Sequence, residues 1–225
     1  MLMLKERELV VEYGKKMSSA GLSKGTSGNI SVFNRELGYM AISPSGVGYF
    51  ETNPEDVVIM DVEANIIEGE KKPSSEFDLH LSFYRAKKDA NAVVHAHSTF
   101  CTTFACLRKP LLALHYVIGV AGTDTINCAE YATYGTPEMA HNAIVACGEG
   151  KAVLLANHGL VVTGPTMAKA FSLAENMEFI AEMQYRAMCI GEPAVLDHDE
   201  MNRVMTKFKT HGQPKKAAED TSRVY

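Results

Sequence analysis

The sequence predicts an α/β fold in which a mixed sheet is covered by helices on both faces. Short β-branched and apolar runs, separated by Gly, Pro and Asn, are typical of strands, and several are close enough to form hairpins. Segments with helical apolar spacing alternate with these runs, but the connections are too irregular for a regular doubly wound sheet. No glycine-rich dinucleotide motif and no P-loop follows a strand.

The first predicted elements are one helix followed by strands. The helix covers residues 4–20 and stops at Gly21, a residue that suits a left-handed C-cap. The runs ISVFN, GYMAIS and DVVIMD predict strands, and DVEANII predicts a hairpin after them. The helix is predicted from the apolar residues Leu4, Leu9, Val10, Tyr13 and Met17, which recur at roughly helical spacing.

The remaining elements alternate more clearly. PSSEFDLHLSFYRAKK predicts a helix with Glu76 in its first turn, AVVHAHS a strand, and STFCTTFACL a helix. AVLLANHGLVVTG predicts two strands that break around His158. A last long helix is expected over 165–190, with Pro165 in its first turn and Gly191 after its end.

Composition limits the classes of function. The chain has 225 residues, a net charge of -5 and scattered cations, which does not favour binding to nucleic acid or to an anionic membrane. No segment has the pattern of a secretory signal or a spanning helix, so a cytoplasmic protein is expected. Five cysteines without a CxxC pair are predicted to be reduced thiols of the core. We expect a single domain over 1–212 and a mobile tail over 213–225.

Two histidines, His95 and His97, lie two residues apart in a run that otherwise reads as a buried strand. Such residues face the same side, about 6 to 7 Å apart, so their imidazoles can converge on one ion. With His158 at a strand break and Glu76 at a helix start, they make a suitable ligand set for Zn²⁺. The alternative for each histidine is a satisfied polar residue at a strand end. His80, one turn after Glu76, is expected to support the site rather than to bind metal.

Three segments combine small residues with hydroxyl groups, as an anion site requires. They are GTSGNIS over 25–31, SPSG over 43–46 and PSSE over 73–76. The third also begins a helix, where unpaired N–H groups and the helix dipole attract phosphate. Any one of them is more typical of an ordinary loop or cap, but three in one chain indicate a phosphate site.

An ordered set of motifs resembles the class II aldolase family: GTSGNIS, SPSG, PSSEFDLH, NAVVHAHS, LHYVIGVAG, YATYGT and LLANHG. The similarity to the L-fuculose-1-phosphate aldolases of that family extends over residues 5–211. It implies a three-layer α/β/α sandwich with a central mixed, largely antiparallel sheet. It also implies a fourfold-symmetric homotetramer with active sites at subunit interfaces and one Zn²⁺ per subunit.

The resemblance implies a role for each site residue. His95, His97 and His158 match the metal ligands, and Glu76 matches a fourth ligand that also transfers a proton. Tyr116 matches a tyrosine that reaches a neighbouring subunit's site as proton donor. The residues implied to hold phosphate are Thr26, Gly28, Asn29, Ser45, Gly46, Ser74 and Ser75.

The activity that this resemblance implies is reversible cleavage of L-fuculose 1-phosphate to dihydroxyacetone phosphate and L-lactaldehyde. The alternatives are an aldolase for another deoxy-ketose 1-phosphate such as 5-deoxyribulose 1-phosphate, an L-ribulose-5-phosphate 4-epimerase, and a non-catalytic phosphosugar-binding protein. Epimerases of the family typically carry Asp in place of Glu76 and lack Tyr116, so these two residues favour an aldolase. A non-catalytic phosphosugar-binding protein would need no proton donor, so Tyr116 also argues against that alternative.

Two positions depart from the pattern of the fuculose-phosphate aldolases. FKTHG keeps Phe208 but places His211 where those enzymes carry tyrosine, and YATYG places Tyr134 where they carry phenylalanine. Both positions are implied to contact the aldehyde end of the substrate. These two departures therefore bear on which aldehyde the enzyme would prefer. The residues matched to metal and phosphate binding follow the family pattern.

Overall fold

The computed structural model describes residues 1–208, and within this range eight strands form one sheet. The strands are β1 (Asn29–Asn34), β2 (Tyr39–Ile42), β3 (Val58–Asp61), β4 (Ile66–Glu68), β5 (Ala92–Ala96), β6 (Cys128–Ala129), β7 (Ala152–Leu155) and β8 (Gly159–Gly164). Their order is β4-β3-β2-β1-β5-β8-β7-β6, and only β6 and β7 pair in parallel among the described strands. The predicted mixed, largely antiparallel sheet is confirmed.

Helices cover both faces of the sheet. They are α1 (Leu4–Ser19), α2 (Phe77–Ala86), α3 (Thr99–Leu107), α4 (Pro137–Cys147), α5 (Met167–Ile190) and α6 (His198–Phe208). α1, α3 and α5 pack on one face, and α2 and α4 pack against each other on the opposite face. α6 contacts a short 3-10 helix, Tyr116–Ala121, beside the first group. This three-layer arrangement is the predicted one.

The pleat of β5 decides which face receives its histidine. Val94 points into the core beneath α1, α3 and α5, whereas Val93 belongs to the core beneath α2 and α4. Side chains alternate along a strand, so His95 lies on the α2 face with Val93. β1 pairs with β5 so that Asn29 is opposite His95 and Ser31 is opposite Val93. Polar side chains of both strands therefore meet under α2.

Several element boundaries differ from the sequence predictions. The first helix ends at Ser19, one residue earlier than predicted, and its buried residues include Arg7, whereas Leu4 is 47% exposed. Glu76 is the residue before α2 rather than part of its first turn. Pro165 lies outside α5, which begins after Thr166, whose hydroxyl accepts a hydrogen bond from the Lys169 N–H. The elements α4 and α6 had no predicted counterpart.

Other sequence predictions have mixed outcomes. Cys106 and Cys189 are exposed, so their assignment to the core was wrong, since both lie on outward-facing helix positions. None of the helices within residues 1–208 has the length and apolar character needed to span a membrane. The predicted tail over 213–225, and His211 before it, lie outside the described residues.

A carboxylate from α5 holds the start of α3, the helix that follows the histidine strand. Ser98, the residue before α3, makes no side-chain capping bond. Instead the Glu178 carboxylate accepts hydrogen bonds from the N–H groups of Phe100, at 2.8 Å, and Cys101, at 2.9 Å. A negative charge there also interacts favourably with the helix dipole. Glu178 thus fixes the backbone just after His97.

We expect Glu178→Ala to lower the free energy of unfolding by about 1 to 2 kcal/mol, because two amides at a helix start lose their acceptor. Urea denaturation followed by circular dichroism measures this change. Glu175→Ala, an exposed site on the same helix, is the matched control and should change stability by less than about 0.5 kcal/mol. Equal effects of the two substitutions would contradict the capping role.

Candidate active site

Three imidazoles meet at one end of the sheet. His95 is the second-to-last residue of the buried strand β5, His97 follows the strand, and His158 lies in the tight turn between β7 and β8. Their ring centroids are 4.7 to 4.9 Å apart, and one nitrogen from each ring lies within 4.8 Å of the others. The structure therefore brings together the three residues predicted to bind a metal.

The orientation of His95 is fixed by a backbone carbonyl. Its Nδ1 lies 3.0 Å from the carbonyl oxygen of Leu160, and because a carbonyl only accepts, Nδ1 carries the hydrogen. In the neutral ring Nε2 then presents its lone pair, and it lies 3.0 Å from Nε2 of His97. This carbonyl contact is the arrangement by which proteins orient metal-binding histidines.

Glu76 completes the cluster from the start of α2. Its Oε2 is 3.3 Å from Nε2 of His95, and its Oε1 is 3.4 Å from Nε2 of His158. Oε2 accepts a hydrogen bond of 2.8 Å from Nδ2 of Asn29, whereas the buried Oε1 has no hydrogen-bond partner among the described residues. A buried carboxylate oxygen left in this way indicates that the site is built for a further ligand.

The protonation states of the cluster suit a cation. Burial alone would raise the pKa of Glu76, but His95, His158 and the bond from Asn29 outweigh it and hold the pKa well below its usual value. Burial, and then the nearby His95, lower the pKa of His97 and of His158 to about 4. At neutral pH the site thus offers the Glu76 carboxylate and the neutral imidazoles of His97 and His158, the forms that bind metal.

The separations of the donor atoms also fit one tetrahedral ion. With metal–nitrogen bonds of about 2.0 to 2.1 Å, the ligand atoms of a tetrahedral site lie roughly 3.3 Å apart. The contacts of 3.0, 3.3 and 3.4 Å within the cluster are close to this value. The three histidines therefore suit a metal ion in chemistry and lie close enough to share one, and Glu76 stands beside them with Oε2 toward His95 and Oε1 toward His158.

A cavity of about 380 Å³ opens beside the cluster. The walls include every residue predicted to hold phosphate: Thr26, Gly28, Asn29, Ser45, Gly46, Ser74 and Ser75. Glu76, His97 and His158 line the same cavity. Of its described lining residues, none is Lys or Arg, so an anion here would meet hydroxyl, amide and backbone N–H groups rather than charged side chains.

Two glycines allow the backbone to close tightly around the site. Gly28 has φ of +73°, and a Cβ there would lie 2.6 Å from the carbonyl oxygen of His95. A Cβ on Gly159 would lie 2.5 Å from the carbonyl oxygen of Ala96 and 3.1 Å from the His97 ring. Larger residues would therefore push apart the strands that hold the histidines.

Sequence reasoning did not assign three polar residues that line the cavity: Ser27, Tyr131 and Asn157. Asn157 adopts φ of +56° directly before His158, and its side-chain oxygen accepts a hydrogen bond from Arg108. The sequence signal for Asn157 was its position directly before His158, a predicted metal ligand. Tyr134, noted as a departure from the family pattern, also lines the cavity.

Tyr116 is not brought to this cavity within one chain. It begins the 3-10 helix, is 49% exposed, stacks on His115 and lies 6.1 Å from the Phe208 ring between centroids. It is absent from the described lining of the cavity. An exposed tyrosine in this position can contact another molecule. The role of Tyr116 in a neighbouring subunit's active site stays a prediction.

The sequence of residues 8–185 matches the family model described as Class II Aldolase and Adducin N-terminal domain. The chain belongs to the class II aldolase family. A solved structure entitled L-fuculose 1-phosphate aldolase has a TM-score of 0.89 and 46% identity, over 91% of this chain and 96% of its own. The fold and the family predicted from the motifs are confirmed.

Curated relatives in this family are named aldolases. The 5-deoxy-D-ribulose 1-phosphate aldolase of Bacillus thuringiensis is 51% identical over 95% of this chain and all of its own length. The L-fuculose phosphate aldolase of Haemophilus influenzae is 39% identical over 90% of this chain and 93% of its own. This chain is accordingly an aldolase of the class II type, and the predicted enzyme class is confirmed.

We expect Gly159→Ala to weaken metal binding at least tenfold, because the added methyl group collides with Ala96 and the His97 ring. Titration of the metal-free protein with Zn²⁺ against a chromogenic chelator measures the affinity. Gly191→Ala, at a position with open space and extended backbone, is the control and should bind Zn²⁺ as the unmodified protein does. Unchanged affinity in Gly159→Ala would contradict the close packing described for this turn.

Proposed function

We propose that this aldolase uses Zn²⁺ to cleave a deoxy-ketose 1-phosphate reversibly into dihydroxyacetone phosphate and a short aldehyde. The observation that carries the proposal is the cluster of three imidazoles and Glu76 on the wall of a cavity rich in hydroxyl and amide groups. Such a cavity accommodates a phosphorylated sugar next to a metal.

The favoured substrate is 5-deoxyribulose 1-phosphate, which would release acetaldehyde. It is supported by the relative of 51% identity that is named for this substrate. The sequence-based preference, L-fuculose 1-phosphate with L-lactaldehyde as product, is the second candidate, supported by the structural neighbour of 46% identity. The two substrates share the phosphorylated half and differ at the aldehyde end, where Tyr131 and Tyr134 line the cavity.

The metal would be held by His95, His97 and His158, with Glu76 as a fourth ligand at rest. When bound, it supplies an electrophile that stabilises the negative charge left on the ketose half when the carbon–carbon bond breaks. No lysine is required to form a Schiff base. The carbonyl of Leu160 keeps Nε2 of His95 directed at this point.

Glu76 would transfer the proton at the third carbon of the ketose. In synthesis its carboxylate removes a proton from the hydroxymethyl carbon of dihydroxyacetone phosphate, and in cleavage it returns that proton to the same carbon. The low pKa of Glu76 keeps it ionised before synthesis begins. Asn29 holds Oε2 by a hydrogen bond, so Oε1 is the oxygen left for proton transfer.

Tyr116 of one subunit would serve the cavity of the next in a homotetramer. In cleavage a base must accept the hydroxyl proton on the fourth carbon, and in synthesis an acid must return it. The exposure of Tyr116, and its position outside its own chain's cavity, support this arrangement. The phosphate would lie among Asn29, Ser74, Ser75 and the two glycine-containing loops.

We expect chelation to abolish release of dihydroxyacetone phosphate from both candidate substrates, and Zn²⁺ to restore it. A coupled assay on purified, stripped and reconstituted enzyme measures release. We further expect kcat/KM for 5-deoxyribulose 1-phosphate to exceed that for L-fuculose 1-phosphate at least tenfold, which corresponds to about 1.4 kcal/mol.

The outcomes separate the parts of this proposal. The reverse preference would make L-fuculose 1-phosphate the substrate and leave the metal chemistry intact. Full activity after complete removal of metal would overturn the metal role. A folded, zinc-loaded enzyme that cleaves neither compound would overturn the substrate class.

Complementation between two inactive variants tests the role of Tyr116 across an interface. We expect Glu76→Gln and Tyr116→Phe each to lower kcat at least 100-fold. Mixed tetramers, formed by co-expression with two affinity tags, should regain activity, because some sites then combine an intact Glu76 with a neighbour's intact Tyr116. Kinetics of the doubly tagged fraction give the measurement.

The control is a mixed oligomer in which both substitutions lie on the same subunits and unmodified subunits make up the rest. Its activity should be proportional to the fraction of active sites that are formed between two unmodified subunits. If Tyr116 acts within its own chain, the complementing mixture contains no intact site and stays inactive. A monomeric active enzyme would also contradict the interface role.

A further inference from the structure

A buried chain of polar side chains leads away from Glu76 into the space between α2 and the sheet. Glu76, the residue before α2, is followed at intervals of four residues by His80 and Tyr84, which share one face of the helix. On β1, Asn29 and Ser31 share the face below. All five residues are buried, and His80 and Ser31 are fully inaccessible to solvent. The proposed reaction assigns no step to His80, Ser31 or Tyr84, and the sequence predicts for His80 only an unspecified supporting role.

Short hydrogen bonds connect the members of this chain. Nε2 of His80 lies 2.5 Å from Oδ1 of Asn29, and Nδ1 of the same ring lies 2.6 Å from the Ser31 hydroxyl. The Ser31 hydroxyl lies 2.6 Å from the Tyr84 hydroxyl, which also reaches the Ser31 carbonyl oxygen at 2.9 Å. Both nitrogens of His80 are therefore engaged, and neither is left for a metal.

The direction of each bond follows from the carboxylate at its end. The Glu76 carboxylate only accepts, so the Asn29 group that faces it at 2.8 Å is the NH₂, and Oδ1 faces His80. Oδ1 also only accepts, so Nε2 of His80 carries the hydrogen. In the neutral ring Nδ1 then accepts from the Ser31 hydroxyl, and the single hydroxyl hydrogen of Tyr84 lies between the Ser31 hydroxyl and the Ser31 carbonyl oxygen. From Ser31 through His80 to Asn29, each donor points toward Glu76.

We propose that His80 is a positioning residue that acts on the reaction through Asn29. By donating to Oδ1 it fixes the amide so that one N–H holds Oε2 of Glu76 and the second is available to substrate in the cavity that Asn29 lines. If the Asn29 amide were rotated by 180°, its NH₂ group would face the N–H of His80 and its oxygen would face the Glu76 carboxylate. Both contacts would be repulsive. The catalytic consequence rests on the proposed function, whereas the orientation itself does not.

The orientation is tested first on the unmodified, zinc-loaded enzyme. Solid-state NMR with ¹⁵N-labelled histidine distinguishes the two neutral tautomers, and the His80 signals are assigned as those that disappear in His80→Gln. The expected tautomer has hydrogen on Nε2. Hydrogen on Nδ1 alone would overturn the proposal, and this measurement needs no substrate.

The catalytic consequence is tested with His80→Phe and His80→Gln. Phe cannot donate to Asn29, so we expect kcat to fall roughly 10- to 100-fold with 5-deoxyribulose 1-phosphate or L-fuculose 1-phosphate, whichever is cleaved. Gln can donate from its amide nitrogen near the position of Nε2, so it should recover most of the lost kcat. One Zn²⁺ per chain should be retained in both variants, as measured by elemental analysis.

Phe83→Leu is the matched control for packing. Phe83 is fully buried on the same helix but lies outside the polar chain, so its substitution should lower stability and leave kcat within about twofold. Equal losses of kcat in His80→Gln and His80→Phe, or no loss in His80→Phe, would overturn the positioning role. If neither substrate is cleaved by the unmodified enzyme, the proposed function fails, and the tautomer still decides the orientation.

Discussion

The site depends on the meeting of one carboxylate and three imidazoles at separations of about 3 Å. Lone pairs facing one another at this distance repel, and burial prevents water from screening them. A cation in their midst would turn each of these repulsions into an attraction. The fold must therefore hold four donors in an arrangement that a bound cation, or a proton shared between two of them, stabilises, and much of the surrounding structure serves this purpose.

Rigid elements supply that restraint from several directions. The β5–β8 pairing places Leu160 where its carbonyl fixes the His95 ring, and the tight β7–β8 turn directs His158 toward the same point. Glu178 ties the start of α3 to α5 immediately after His97. From the opposite face, α2 presents Glu76 together with His80. The two layers of helices thus act on one cluster through a single sheet.

Much of this arrangement could be predicted from sequence because it is encoded in short, regular spacings. The two-residue separation of His95 and His97 requires only the strand pleat to bring them together. The ordered motifs then supplied the family and, with it, the sheet type. Residues brought in by loops, such as Tyr131 and Asn157, had no comparable spacing to reveal them. The role of Glu178 depends on two helices far apart in sequence, which no local pattern reports.

The polar chain under α2 shows a different limit. The four-residue spacing along α2 and the two-residue spacing along β1 are visible in the sequence. The packing of α2 over β1 is not. The sequence alone placed His80 in a supporting role without a partner. The end of α1 and the start of α5 were misjudged by one or two residues because capping side chains and left-handed residues act locally at each end.

The absence of lysine and arginine from the described cavity wall has a consequence for how a phosphate would arrive and leave. Hydroxyl and amide dipoles act over much shorter distances than a full charge, and the whole chain carries a net charge of -5. Apart from a metal ion at the histidine cluster, a dianion would therefore meet no full positive charge on these described walls, and its phosphate would be recognised on contact, by the shape and donor geometry of the loops. Release of a phosphorylated product from these described walls would then break hydrogen bonds to hydroxyl, amide and backbone N–H groups, with no ion pair to a lysine or arginine side chain to separate.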